Sequence, residues 1–292
     1  MTVKLYRSDR KFQFLNATVI VVIAFTMIAP LINILAISLS SPLYADAKLV
    51  GFWPMGFTVG VYAKIFTYVR LWRAMGVTVY VTVAGTLVCL ALSSSLAYSI
   101  SRPNMRGRKA VTLGVLFTFI FTAPLIPAYL VVRALGFENH LSALIVPGAL
   151  GAYYVLIMKT FFQGISPELF DAARIDGAGE GRIFLRIVLP LSTAVMATIA
   201  LFHAVSQWNS YFGALIYIRN KALQPLQMVL RDLITEDMMQ DMTAGDLEIN
   251  ARSTPEQMRA GVILFATLPI LVVYPFLQKY FVKGATLGSV KG

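Results

Sequence analysis

Ser166-Pro-Glu-Leu-Phe-Asp171-Ala172-Ala173-Arg174-Ile-Asp176-Gly177-Ala178, continuing to Ile187-Val-Leu189-Pro190, is a polar stretch held between two strongly apolar ones. Ser166 is suited to cap exposed amides, Pro167 fits the first helical position and Glu168 favours the positive end of a helix, so a helix is expected to begin here. Leu169, Ala172 and Ala173 fall on one face at i, i+3 and i+4 spacing, with Asp171 and Arg174 directed elsewhere. Gly177 accepts the left-handed backbone that ends a helix. Beyond it Ile183, Phe184, Ile187 and Val188 form a second apolar stripe, and Pro190 opens the next apolar segment. The pattern predicts a helix-turn-helix loop between membrane segments. Periodicity leaves two uses open: a surface that docks onto a partner, or a solvated connector whose alanines pack locally.

Composition places this loop in a membrane protein. Of 292 residues, 58% are hydrophobic and 13% charged, and the mean hydropathy is +0.72, outside the range of a soluble domain. Apolar runs able to cross roughly 30 Å of hydrocarbon lie at about 14–39, 74–99, 111–133, 142–161, 191–218 and 261–281. The expected fold class is an all-α polytopic membrane protein with six transmembrane helices and both termini on one side. The first run is too long for a signal-peptide core and carries Pro30 and Asn33.

Lys4, Arg7, Arg10 and Lys11 precede the first run, Arg102, Arg106, Arg108 and Lys109 occupy the second loop, and Lys279, Lys283 and Lys291 lie in the tail. All three segments are expected in the cytoplasm, because Lys and Arg near span ends stay on that side. Residues 1–13 then form a cytoplasmic N-terminus, 282–292 a cytoplasmic tail, and 219–258 an outer loop made acidic by Asp232, Glu236, Asp237, Asp241, Asp246, Glu248 and Glu256. Lys48, Lys64, Arg70 and Arg73 in the first outer loop run against the bias.

The formal charge of +11 does not read as a nucleic-acid footprint, since the cations flank spans and suit anionic lipid headgroups. Catalysis is not expected either. His140 and His203 are the only histidines, no GxxxxGK[ST] loop occurs, and the lone Cys89 lies inside an apolar run. No residue is assigned a catalytic or metal-binding role.

An acidic residue, two alanines, three residues, a glycine, nine residues and Ile-x-Leu-Pro is the arrangement held by Asp171, Ala172, Ala173, Gly177, Ile187, Leu189 and Pro190. It resembles the EAA loop of ABC-importer permeases, here spanning 166–190, with Asp171 where the family usually has Glu and Ala194 where many members carry another proline. From about Arg73 to the C-terminus the chain resembles carbohydrate-importer permeases of the maltose type, through Tyr274-Pro275-Phe276-Leu-Gln-Lys279-Tyr-Phe281-Val-Lys283-Gly284 and Lys291-Gly292. Within that family it is most similar to the branch that moves oligo- or polysaccharides, the second permease subunits of alginate importers among them.

The resemblance implies a type I permease domain over 73–281 that forms half of a translocation path in the bacterial inner membrane. It implies a homologous second permease, two ATPase subunits that bind ATP and Mg, and an extracytoplasmic sugar-binding protein; no cofactor is implied in this chain. The loop residues named above would then fit a cleft in the ATPase, and Lys283, Gly284 and Lys291 would belong to a tail lying between the ATPases.

Polar groups inside the spans are the candidates for the path: Tyr153, Tyr154, Gln207, Trp208, Asn209 and Tyr211 offer amides and aromatic faces suited to sugars. The same residues equally suit hydrogen bonds between helices and positions at the membrane interface. Pro124 and Pro127 are expected to kink or unwind the third span. Arg133, Arg219 and Lys221 could attract an anionic sugar or act as ordinary interfacial cations. An ATP-independent channel or carrier, and a membrane scaffold, are the alternatives; a carrier would usually carry internal repeats or a buried charge pair, and neither is evident.

Overall fold

The computed structural model describes residues 9–234 and 254–289, with side chains over 12–233 and 254–274. Every regular element among these residues is helical. In chain order they are α1 (Asp9–Ser38), α2 (Pro42–Asp46), α3 (Gly60–Thr67), α4 (Val69–Ser101), α5 (Arg108–Ile120), α6 (Leu125–Ala134), α7 (Ser142–Ile145), α8 (Ala152–Gln163) and α9 (Pro167–Ile175). There follow α10 (Glu180–Leu191), α11 (Thr193–Trp208), α12 (Phe212–Tyr217), α13 (Leu226–Ile234) and α14 (Pro255–Ser289). Of the basic positions, Lys4, Arg7 and Lys291 lie outside the described residues, as does the acidic run Glu236, Asp237, Asp241, Asp246 and Glu248.

Three helices are long and apolar enough to cross a membrane unaided: Phe12–Ser38, Val69–Ser101 and Pro255–Tyr274. The other expected spans are broken, so length and composition give three to five crossings where six uninterrupted ones were expected. The reasons are local. Pro124, in extended conformation with φ −59° and ψ 153°, separates α5 from α6, and the two axes differ by 119°. The anticipated kink is thus a near reversal. The fourth span divides at Pro147, Gly148 and Gly151, leaving α8 with 12 residues, about 18 Å at 1.5 Å per residue. Backbone freed in this way is tolerated at membrane depth only where protein or a cavity covers it.

Pro190 does not open the fifth span as expected. It lies in the last turn of α10, whose Phe184–Val188 segment is π-helical, a widened turn that gives a proline ring room beside the preceding carbonyls. The chain bends by 79° between α10 and α11, at Ser192.

Among the described residues there are two compact units, one drawn from Met1–Val69 and Asp232–Thr267, the other from Arg70–Arg231 and Leu268–Gly292. In the first, α3 buries Val61 and Ile65 completely against α14 at Gly261, where an added Cβ would stand 2.5 Å from Val61 Cγ1 and 2.7 Å from Ile65 Cδ1. The Gln257 amide donates to the Ser40 carbonyl, and Asn33 Nδ2 donates to the carbonyls of Val50 and Gly51 at 3.1 and 2.8 Å. Gly261→Leu is expected to destabilise this unit by about 1–3 kcal/mol, the usual cost of overpacking, read as a lower melting temperature of the full chain in detergent.

The second unit has its core where α4, α8, α9, α10 and α11 meet, with Ile100, Val155, Met158, Phe162, Ile183, Val188 and Ile199 at its centre. The loop read first from the sequence is therefore part of the core, and this is what positions it.

Candidate functional site

α9 begins after Ser166, whose backbone is extended but whose side chain makes no capping bond. The start therefore rests on Pro167 at the first helical position and Glu168 in the first turn. The end follows the expected logic. Gly177 takes φ +74°, its amide donates to the Arg174 carbonyl at 3.0 Å, and the Ala178 amide donates to the Ala173 carbonyl at 2.9 Å. This is a Schellman termination, which fixes the angle at which the chain turns into α10.

The buried face of α9 differs from expectation. Phe170 and Ala173, three apart, are buried in the core, while Leu169 and Ala172 are exposed. Apolar residues occupy both sides of this short helix, and the larger Phe170 ring wins the core because it removes more apolar area from water. The outward face consequently carries Leu169 at 44% exposure and Ile175 at 87%, with Ala172 between them and Asp171 alongside. The second stripe behaves as expected: Ile183 and Val188 are fully buried, and Phe184 and Ile187 pack against the same core. Leu189 is half-buried and Pro190 exposed.

Charged groups fasten the loop to the end of α4. The Tyr98 hydroxyl donates to Glu180 Oε2 at 2.5 Å, Arg174 Nη2 meets Glu180 Oε1 at 2.9 Å, and Arg174 Nη1 meets Asp171 Oδ1 at 3.2 Å. Tyr98 also packs its ring on Phe184, with centroids 5.0 Å apart. The Arg102 guanidinium stacks 3.4 Å from the Phe170 ring centroid and 4.6 Å from that of Tyr98, a cation–π arrangement that closes over the buried side of α9. Burial lowers the Arg102 pKa, an effect that Tyr98 and Glu180 partly offset.

The Tyr98 hydrogen bond first, and Arg174 second, hold the Glu180 carboxyl below its ordinary value of 4.5. A depressed acid stabilises the folded state above its unfolded pKa and loses that contribution as pH falls through the folded one. The melting temperature should therefore decline below about pH 4.5, and Glu180→Gln should flatten that acid limb, measurable by thermal unfolding across pH.

The expected path residues do not converge. Tyr153 is exposed and stacks on Phe119 at 6.5 Å, whereas Tyr154 meets buried His203 edge-on at 6.0 Å. Gln207 Nε2 donates to the Leu144 carbonyl at 2.6 Å and lines a cavity of about 190 Å³ with Thr78, Ser210 and Tyr217. Trp208 faces a different, apolar cavity of about 540 Å³. Asn209 closes α11 by donating to the Val205 carbonyl at 2.9 Å, and Tyr211 is exposed. Thr78, Ser210 and Tyr217 reach the cavity beside Gln207 from α4, the turn after α11 and α12, a meeting of separate elements that carries no local sequence signal.

Arg133 and Arg219 share the Glu138 carboxylate at 3.6 and 2.8 Å, and Asn139 Oδ1 accepts from the amides of Arg219 and Asn220 at 3.1 and 2.8 Å. These two cations thus tie neighbouring turns together. Lys283 and Gly284 fall within the part of α14 beyond Tyr274, whose side chains are not described.

The family described as binding-protein-dependent transport system inner membrane component matches residues 56–287. Protein LplC of Bacillus subtilis (strain 168) is 40% identical over 288 residues, 98% of this chain and 97% of that protein. The polygalacturonan/rhamnogalacturonan transport system permease protein YtcP of the same organism is 39% identical over 288 residues, 97% of this chain and 99% of that one. Among solved structures, a chain of a bacterial ABC transporter involved in the import of the acidic polysaccharide alginate aligns with a TM-score of 0.88 at 32% identity, covering 96% of this chain and 100% of that one.

Proposed function

Because the chain belongs to the family of binding-protein-dependent transport system inner membrane components, we propose that it is one of two permease subunits of an ATP-driven importer for acidic oligo- or polysaccharides. The substrate class rests on two relatives matched over nearly their whole length: one named for polygalacturonan and rhamnogalacturonan, the other for alginate. The uronate carboxylate is the chemistry that these polymers share.

The observation that carries the coupling role is the two-sided loop. One side of α9 is sunk in the core through Phe170 and Ala173, while the other presents Leu169, Ala172 and Ile175 to solvent beside Asp171. Three apolar side chains gathered on one exposed face of a short cytoplasmic helix are what a docking surface presents. We place the ATPase there, with ATP and Mg held entirely by that partner. Asp171, Ala172, Ala173 and Gly177 form the docking segment, Ile187, Leu189 and Pro190 join it to α11, and Lys283, Gly284 and Lys291 are assigned to a tail that reaches between the ATPases.

On this reading the loop and both termini are cytoplasmic, and 219–258 meets the binding protein outside. Closure of the ATPase pair displaces α9, and α4 and α10 follow because they share one core with it. ATP binding then shifts the balance between inward- and outward-open states by the difference in docking free energy between them.

The test is reconstitution of the chain with its second permease, ATPase and binding protein in lipid, comparing hydrolysis with oligouronate-loaded and neutral-oligosaccharide-loaded binding protein. Stimulation by the oligouronates is expected. Stimulation by neutral sugars alone would overturn the substrate class, and failure of any sugar to stimulate would overturn the importer reading.

A further inference from the structure

At the turn between α4 and α5 lies a cleft of about 770 Å³ whose wall includes Arg108, Lys109 and Thr112 from α5 and Lys159 from α8. Among the described residues, no carboxylate lines it, and neither Lys109 nor Lys159 has an acidic partner. Arg108 is fixed on the wall by donating from Nε to the Ile100 carbonyl at 2.9 Å, and Thr112 Oγ1 is buried without a hydrogen-bond partner. Three like charges converge on this space, a positive recess that an anion would complement.

The cleft also has a second half. Leu113 lines it and continues along α5 as Leu116, Phe117 and Ile120, all exposed, at 36–70%. That stripe runs along a 13-residue helix, about 20 Å at 1.5 Å per residue, from the basic mouth into the apolar region. A soluble anion would use only the mouth. We propose that this cleft is a binding site for an acidic phospholipid, its phosphate held by Arg108, Lys109 and Lys159 and one acyl chain laid along Leu113, Phe117 and Ile120. A basic recess at the end of a span is the arrangement expected to select an anionic headgroup over a zwitterionic one.

The site borders Ile100, which belongs to the same core as Phe170 and Ala173, so a lipid seated there would brace the end of α4 on which the loop is fastened. This inference does not depend on the transported sugar.

The test uses the full chain in detergent, with phosphatidylglycerol or phosphatidylcholine of identical acyl chains added and retained lipid counted by native mass spectrometry; inorganic phosphate is the competitor. Phosphatidylglycerol should be retained over phosphatidylcholine, and phosphate should not displace it. The Lys109→Gln/Lys159→Gln pair should weaken retention roughly 25-fold, about fivefold for each cation removed. Lys109→Arg/Lys159→Arg, which keeps the charge, should retain it. Equal retention of both lipids, displacement by phosphate, or a Gln pair that folds and binds normally would each overturn the site. Should the Gln pair not fold, the two lipids and the phosphate competition on the unaltered chain decide.

Discussion

Asp171→Lys is expected to reduce sugar uptake by the reconstituted importer by roughly a hundredfold or more, the scale of a like-charge clash at a docked interface, while leaving the chain folded. The carboxylate is mostly exposed, at 68%, and among the described residues its partner is Arg174 on the same helix. Neither group contributes to the core, so helix content and melting temperature should stay close to those of the unaltered chain. What changes is the surface offered to the ATPase, where an acid beside Leu169, Ala172 and Ile175 becomes a base. Asp171→Glu supplies the acid that the family usually carries and should preserve uptake. The measurement is uptake and hydrolysis side by side; a Lys variant that assembles and transports normally would remove Asp171 from the docking surface and return the loop to a connector.

The position of α9 was legible because its signals are local: Pro167 at the first turn, Gly177 at the stop, and a change of composition on either side. The choice of buried face was not legible. Leu169, Ala172 and Ile175 alternate with Phe170 and Ala173 around a nine-residue helix, so period alone offers two apolar faces, and only the core beneath selects one. The span count suffers from a related limit. Hydropathy sums over a window and registers Val111–Arg133 as one apolar run, yet Pro124 turns the backbone by 119° inside it. Polarity within an apolar run marks Gln207, Trp208, Asn209 and Tyr211 at 191–218, and Tyr153 and Tyr154 at 142–161, as path candidates, but α11 sends Gln207 and Trp208 to different cavities, because consecutive helical residues point about 100° apart. The pairing of Tyr98 with Glu180 has no local signal, since 82 residues separate the partners.

That pairing leads to the second large effect. Tyr98→Phe should leave ATP hydrolysis largely intact while lowering sugar moved per ATP about tenfold. The substitution removes a single oxygen and keeps the ring that packs on Phe184 and under Arg102. Phe170, Ala173, Ile183 and Val188 still anchor the loop through apolar burial, so the protein should fold and dock. What is lost is the hydrogen bond from α4 to a carboxylate that also holds Arg174. A bond to a charged group contributes about 1.5–3 kcal/mol, and exposure of Glu180 places this one at the low end, about 1.5 kcal/mol. That is a factor of about ten in how firmly α9 and α4 move together. Glu180→Gln should act in the same direction, and the double variant should be no worse than the more damaging single one, because both changes sever one link. If the effects of Tyr98→Phe and Glu180→Gln simply add, or if transport per ATP is unchanged in Tyr98→Phe, then apolar packing alone carries the motion from α9 to α4.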